Sequence, residues 1–163
     1  SMGAHLIQGV VDAYREHGGS AYIHMTFLEP FSPRGLLSWR YGTRHFGEGA
    51  DYAESFIVTD DGVPGTNRYL EHAHNYEINE LVPQEYRDES PISPHWWAAR
   101  FYRRSVGAEM PGFRFSPLAG GLGAPLAGRS GRIEATPARA ASTAESGLPA
   151  RGAVTVVERR DSG

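Results

Sequence analysis

The first hydrophobic pattern along the chain lies near its amino terminus, in residues 4–17. Apolar side chains recur there at the three- and four-residue spacing of one helix face, at Ile7, Val10, Val11 and Tyr14. Gly18 and Gly19 follow directly, and glycine is the common residue just past a helix end. The pattern therefore predicts an amphipathic helix over residues 4–17 that ends at these glycines.

Three runs in which apolar and polar residues alternate follow the helix, at residues 20–28, 36–46 and 52–59. The segments between them are rich in glycine, proline and charged residues, which favour turns. Short alternating runs separated by turn signals are typical of half-buried strands. We therefore predict a short antiparallel meander of three or more strands that packs on the first helix.

Two further segments complete the predicted fold. Residues 93–107 open with Ser93 and Pro94, which suit a helix start, and close on a glycine, so a second helix is predicted over residues 94–106. Residues 67–82 fit a helix and a strand equally well, because their apolar positions follow neither period. The predicted fold class is α+β, a small antiparallel sheet with an N-terminal helix and a second helix near residues 94–106.

The composition of the chain changes at residue 116. Every aromatic residue and every histidine lies before that position, and residues 116–150 are rich in Gly, Ala, Pro, Ser and Arg. Such a stretch buries too little apolar surface to offset the entropy of ordering it. We therefore predict one globular domain at residues 4–115 and a flexible tail at residues 116–163, with one short strand at residues 153–157.

Charge and two missing residue types exclude several classes of chemistry. All 16 basic residues are arginine, and the absence of lysine and cysteine excludes lysine Schiff bases, thiol nucleophiles and thiolate metal sites. Residues 1–115 hold ten Arg against fifteen Asp and Glu, a net charge of −5, which argues against binding to nucleic acid. No apolar run is long enough for a membrane span, so we expect a soluble cytoplasmic protein without nucleic-acid or membrane partners.

The densest polar cluster lies at residues 71–80, where two histidines and three glutamates occur together. Imidazole and carboxylate groups are the donors of divalent-metal sites and of acid–base pairs. If the segment is a strand, His72, His74 and Glu80 share a face, which predicts a site for one divalent transition metal. A distant histidine completes the predicted ligand set, with His95 as the candidate and His45 and His24 as alternatives. If it is a helix, His74 faces Glu71 and Glu77 instead. Glu77 is the candidate catalytic residue.

The three tryptophans, Trp39, Trp96 and Trp97, are the candidate substrate-binding residues, since aromatic side chains commonly line ligand pockets. Together with the polar cluster they predict a small enzyme or ligand-binding domain that acts on a small molecule. The alternative is a non-catalytic interaction domain, in which the cluster is an ordinary polar surface and the aromatic side chains contact a protein partner. The oligomeric state stays open.

A third interpretation comes from a resemblance. Residues 75–77 (Asn-Tyr-Glu), followed by residues 81–83 (Leu-Val-Pro), resemble the segment of some ADP-ribosyltransferases in which a catalytic Glu near a strand end precedes a proline-containing loop. The resemblance implies that Arg40 or Arg44 holds a pyrophosphate. The sequence departs from the family pattern because Asn75 stands where a Gln or Glu is expected and the Ser-Thr-Ser element is absent.

Overall fold

The structure is a computed structural model that describes residues 2–106, 132–137 and 154–159. In chain order the elements along these residues are α1 Gly3–Glu16, β1 His24–Leu28, α2 Tyr41–His45, β2 Tyr52–Ile57, β3 His74–Glu77, α3 Gln84–Glu89, α4 Trp97–Val106, β4 Arg132–Pro137 and β5 Val154–Arg159. Single 3₁₀ turns at Asn79–Leu81 and Ser93–Trp96 precede α3 and α4. The second predicted helix is confirmed by the later of these turns together with α4.

The strands form one sheet in the order β1-β2-β3-β4-β5. β1, β2 and β3 are parallel, β4 is parallel to β3, and only the pair β4 and β5 is antiparallel. The predicted antiparallel meander is therefore wrong. Alternation within a strand indicates its two faces but not its direction. The connections at residues 29–51 and 58–73 are long enough to return the chain to the same end of the sheet.

Two of the strands lie in the segment that was predicted as a tail. β4 and β5 both follow residue 116, and β5 overlaps the strand predicted at residues 153–157. The predicted domain boundary at residues 115–116, and the stretches of the tail around these two strands, lie outside the described residues.

Both faces of β2 are covered, which explains why every residue of this strand is buried. On one face, α1 and Phe46 pack against Met25 and Phe27 of β1. On the other face, α4 contributes Trp97 and Phe101 to a second core that surrounds the side chain of Phe56. Within the described ranges, no helix is long and apolar enough to cross a membrane.

Helix α1 confirms the first predicted helix, but of the predicted apolar positions only Val11 is buried. Its buried residues are Ala4, Gln8 and Val11. Gln8 is buried because its Nε2 donates to Glu48 O at 3.0 Å and its Oε1 accepts from the Gly47 N–H at 2.8 Å. Helical spacing therefore predicted the element correctly but did not indicate that the polar Gln8 is buried.

The predicted strand at residues 36–46 is wrong. An isolated bridge between Arg34 and Ser38 closes a loop in which Leu36 and Leu37 are almost fully exposed. The chain then turns into α2 instead of extending. The alternation in this segment has no buried face, because most of its side chains project from a surface loop.

Candidate metal centre

Two acidic residues follow neighbouring parallel strands at the same edge of the sheet. Glu29 comes directly after β1, where its backbone N–H still bonds to Phe56 O of β2 at 3.1 Å. Asp61 lies in the turn that follows β2. The carboxyl ends of parallel strands are the usual place for binding and catalytic residues in sheets of this kind. This edge of the sheet is therefore the expected position of a functional site.

The 3₁₀ turn before α4 brings a histidine to these two carboxylates. His95 Nδ1 lies 3.0 Å from Asp61 Oδ2 and 3.6 Å from Glu29 Oε2. One ligand atom from each of the three residues lies within 4.8 Å of the others. Glu29 and Asp61 are 1% and 7% exposed, and the side chain of His95 is 15% exposed. The three groups form one largely buried cluster.

In each carboxylate, one oxygen faces His95 and the other accepts a hydrogen bond that orients the group. The Val58 N–H donates to Glu29 Oε1, so Oε2 faces His95. Asp61 Oδ1 accepts from Asn67 Nδ2 at 3.0 Å, so Oδ2 faces His95. Outer partners of this kind hold metal ligands in position in known metal sites. Glu29 also has a φ of 49°, a left-handed conformation that is uncommon for residues other than glycine.

Burial and mutual contact shift the protonation of two of these groups. The pKa of Glu29 is raised to about 7, chiefly because the group is buried; the contact with His95 opposes this shift and the negative charge of Asp61 adds to it. Contacts with Asp61 and then Glu29 raise the pKa of His95 to about 9, against the opposing effect of burial. At neutral pH without metal, His95 is therefore a cation that bridges two acidic groups.

These shifts predict that the metal-free protein loses stability as the pH rises. Glu29 titrates near 4.5 in an unfolded chain and near 7 in the folded protein, and His95 near 6.5 and 9. Both groups bind more protons when the protein is folded, so the free energy of unfolding falls between about pH 4.5 and 9. Urea unfolding at a series of pH values, with a chelator present, measures this.

The Glu29→Gln and His95→Gln variants should each flatten their own part of that curve. His72→Gln is the matched control, because the His72 side chain is 43% exposed and lies outside the cluster. An unfolding free energy that rises from pH 5 to 9 in the wild type would contradict the arrangement.

The structure separates the four predicted metal ligands. His95 joins Glu29 and Asp61, whereas His72 Nε2 lies 3.5 Å from Glu48 Oε1. Of the other two predicted ligands, His74 stacks against the Tyr52 ring in the sheet. Glu80 is exposed in the 3₁₀ turn that follows β3. The segment at residues 67–82 forms β3 and a 3₁₀ turn, and its strand geometry does not bring these groups together.

The remaining candidate residues fall in four different environments. Glu77 ends β3 and accepts hydrogen bonds from the Tyr69 hydroxyl and from Asn79 Nδ2, the latter at 3.0 Å. Trp97 is a core residue of the α4 face. Trp96 is 62% exposed, and its ring lies edge-on to the His95 ring at 5.7 Å. Trp39 lines a separate groove. Only Trp96 lies beside the metal-centre cluster.

A second buried polar group lies on the α4 face of the sheet and was not predicted. Glu54 of β2 is fully buried and accepts a hydrogen bond from Thr26 Oγ1 at 2.8 Å. His24 Nε2 lies 3.2 Å from the same carboxylate oxygen, and His74 is the neighbour of Glu54 on β3. Satisfied buried polar groups favour one arrangement over its alternatives. This network therefore helps to fix the register of the three parallel strands.

Only part of the cluster could be recognised from local sequence signals. Asp61 belongs to an Asp-Asp-Gly turn, and its turn role is real, since Asp61 Oδ1 accepts from the Val63 N–H at 3.2 Å. The second carboxylate oxygen of Asp61, Oδ2, contacts His95. Glu29, between a strand and Pro30, carried no signal beyond its position at a strand end. Comparison of the chain with protein-family models, curated proteins and solved structures found no match.

Proposed function

We propose that the protein binds one divalent transition metal through Glu29, Asp61 and His95, and that this metal is the centre of a small enzyme. The observation that carries the proposal is the convergence of one imidazole nitrogen and two carboxylate oxygens, each on a side chain that is mostly or fully buried. One nitrogen and two oxygens are a suitable donor set for Zn²⁺, Mn²⁺ or Fe²⁺. No cysteine competes for the metal.

The spacing of the donor atoms supports a metal with short bonds. Two ligands of a tetrahedral zinc ion, at bond lengths of about 2.0–2.2 Å, lie roughly 3.3–3.6 Å apart. The distances from His95 Nδ1 to the two carboxylate oxygens, 3.0 and 3.6 Å, are close to that range. Binding of the metal therefore requires that His95 Nδ1 lose its proton and that the three side chains move slightly. It requires no rearrangement of the strands.

Three protein ligands leave a coordination position for water or substrate, as in catalytic zinc sites. A metal bound there would lower the pKa of its water to about 7 and would polarise a substrate oxygen. The exposed Trp96 beside His95 offers an apolar contact for a small organic substrate. These features favour metal-assisted hydrolysis or a related reaction of a small molecule.

Calorimetric titration of the chelator-treated protein with ZnCl₂ tests the proposal. We expect one Zn²⁺ per chain and a higher melting temperature with the metal. Asp61→Asn should lower the Zn²⁺ affinity by more than the roughly 10- to 100-fold that follows loss of an outer partner, and Asn67→Ala should fall within that range. Asp61→Asn keeps the shape of the side chain, and circular dichroism shows whether it still folds.

His72→Ala is the control variant, because it removes a predicted ligand that is exposed and outside the cluster. Its Zn²⁺ affinity should equal that of the wild type. A loss of binding in His72→Ala with no change in Asp61→Asn would place the metal at surface histidines and overturn the proposal. The proposal would also be overturned if the wild-type protein did not bind one Zn²⁺ per chain.

A further inference from the structure

A second concave site lies on the loop and short helix between β1 and β2. It is a groove of about 370 Å³ lined by residues 37–41 together with Arg44 and His45. Its volume falls within the range of small-molecule pockets, roughly 300–1,000 Å³. None of the three metal-centre residues lines it. The groove is therefore a candidate ligand site of its own.

The groove is positively charged in a protein that is acidic overall. Residues 30–47 contain three arginines and no Asp or Glu. In the described part of the chain, no salt bridge involves Arg40 or Arg44, whereas Arg15 and Arg87 are each paired with an aspartate. A guanidinium group offers several N–H donors in a planar fork, which matches the oxygens of a phosphate. Among the described residues, the two arginines of the groove thus have no carboxylate partner, whereas His45 of the groove lies 3.0 Å from Glu48.

An aromatic surface lies beside these cations. The Trp39 side chain lines the groove and is 46% exposed, so its ring is accessible. Tyr41 is held in place by the Arg34 guanidinium, 4.7 Å from its ring centre, and by the stacked His5 ring. An accessible indole stacks well against a planar heterocycle. The groove therefore combines a site for an anion with a site for a flat ring.

Backbone hydrogen bonds fix the walls of the groove before any ligand arrives. Ser38 O accepts from the Arg34 N–H at 3.0 Å and from the Tyr41 N–H at 3.1 Å. The Gly42 N–H donates to Ser32 O at 2.7 Å, which anchors the start of α2. A preformed site loses less conformational entropy on binding than a flexible loop does.

We propose that this groove binds a nucleoside monophosphate, a small ligand that joins a phosphate to a planar base. Arg40 and Arg44 bind the phosphate, and Trp39 stacks on the base. The guanidinium groups of two arginines that have no carboxylate partner among the described residues provide enough N–H donors and positive charge for one phosphate group. A nucleic-acid strand is disfavoured because the acidic remainder of the domain repels a polyanion.

Titration of the full chain with AMP and, separately, with inorganic phosphate tests this assignment, with a chelator present so that the metal centre does not contribute. AMP should bind with one site per chain. Arg44→Gln should weaken AMP and phosphate alike by about tenfold to a hundredfold, the loss expected for hydrogen bonds to a charged group. Trp39→Leu should weaken AMP alone. Arg103→Gln removes the same charge from an exposed position on α4 and should change neither.

Three results would overturn the proposal. The first is the absence of AMP binding at millimolar concentration. The second is an equal loss of affinity in Arg44→Gln and Arg103→Gln, which would show a general charge effect. The third is unchanged AMP affinity in Trp39→Leu, which would reduce the groove to a simple anion site.

Discussion

Replacing Phe56 by alanine is expected to lower the free energy of unfolding by about 3–5 kcal/mol, the usual cost of removing a buried aromatic ring. Phe56 is fully buried on β2. Its ring stacks on Tyr76 at 5.0 Å and lies 5.8 Å from the Phe101 ring of α4. The substitution therefore opens a cavity between β2, β3 and α4 that the surrounding strands cannot fill. Urea unfolding followed by circular dichroism measures the loss.

Leu37→Ala is the control for this measurement. Leu37 is fully exposed at the tip of the loop before α2, so its loss should change the unfolding free energy by no more than about 0.5 kcal/mol. Similar losses in the two variants would contradict the arrangement in which β2 is buried on both faces and Leu37 lies in a surface loop.

The second large effect is expected at Gly47, where alanine should destabilise the protein by about 2–5 kcal/mol. Gly47 has a φ of 98°, which costs a residue with a side chain about 1–2 kcal/mol. An added Cβ would also lie 2.4 Å from the carbonyl oxygen of His72, a backbone atom that has little freedom to move. Forcing an extra carbon into a packed site costs about 1–3 kcal/mol more. Thermal and urea unfolding both measure the change.

The same substitution at Gly9 should have the opposite sign. Gly9 lies inside α1, and an added Cβ there would meet no atom within 4 Å. Alanine is favoured over glycine inside a helix by about 0.5–1 kcal/mol, so Gly9→Ala should stabilise the protein. If Gly47→Ala proved as harmless as Gly9→Ala, the close approach of residues 47 and 72 would be wrong.

Local pattern predicted several elements of this fold but not how they assemble. Helical spacing and Gly18 placed α1, and Ser93 and Pro94 placed the turn that leads into α4. The alternating runs at residues 20–28 and 52–59 correspond to β1 and β2. Strand direction was predicted wrongly, since it depends on where the connections run and on which face each helix covers.

Of the three residues in the candidate site, only His95 was among the predicted metal ligands. His95 was a reasonable ligand by residue type, and the structure places it with two carboxylates. Glu29 and Asp61 are separated from it by long stretches of sequence, so only parallel strands that end at one edge bring the three together. The cluster at residues 71–80 was dense in sequence but is split by β3, whose alternate residues point to opposite faces.

The parallel arrangement of β1, β2 and β3 has a kinetic consequence. No two of these strands are joined by a tight turn, so each pairing must first close a loop such as residues 29–51 or 58–73. Pairing of β3 with β4 spans an even longer stretch, residues 78–131. Chains dominated by such distant contacts fold slowly and keep apolar strands exposed for longer while they do. Refolding yield should therefore depend on protein concentration, with dilution favouring the native sheet over aggregates.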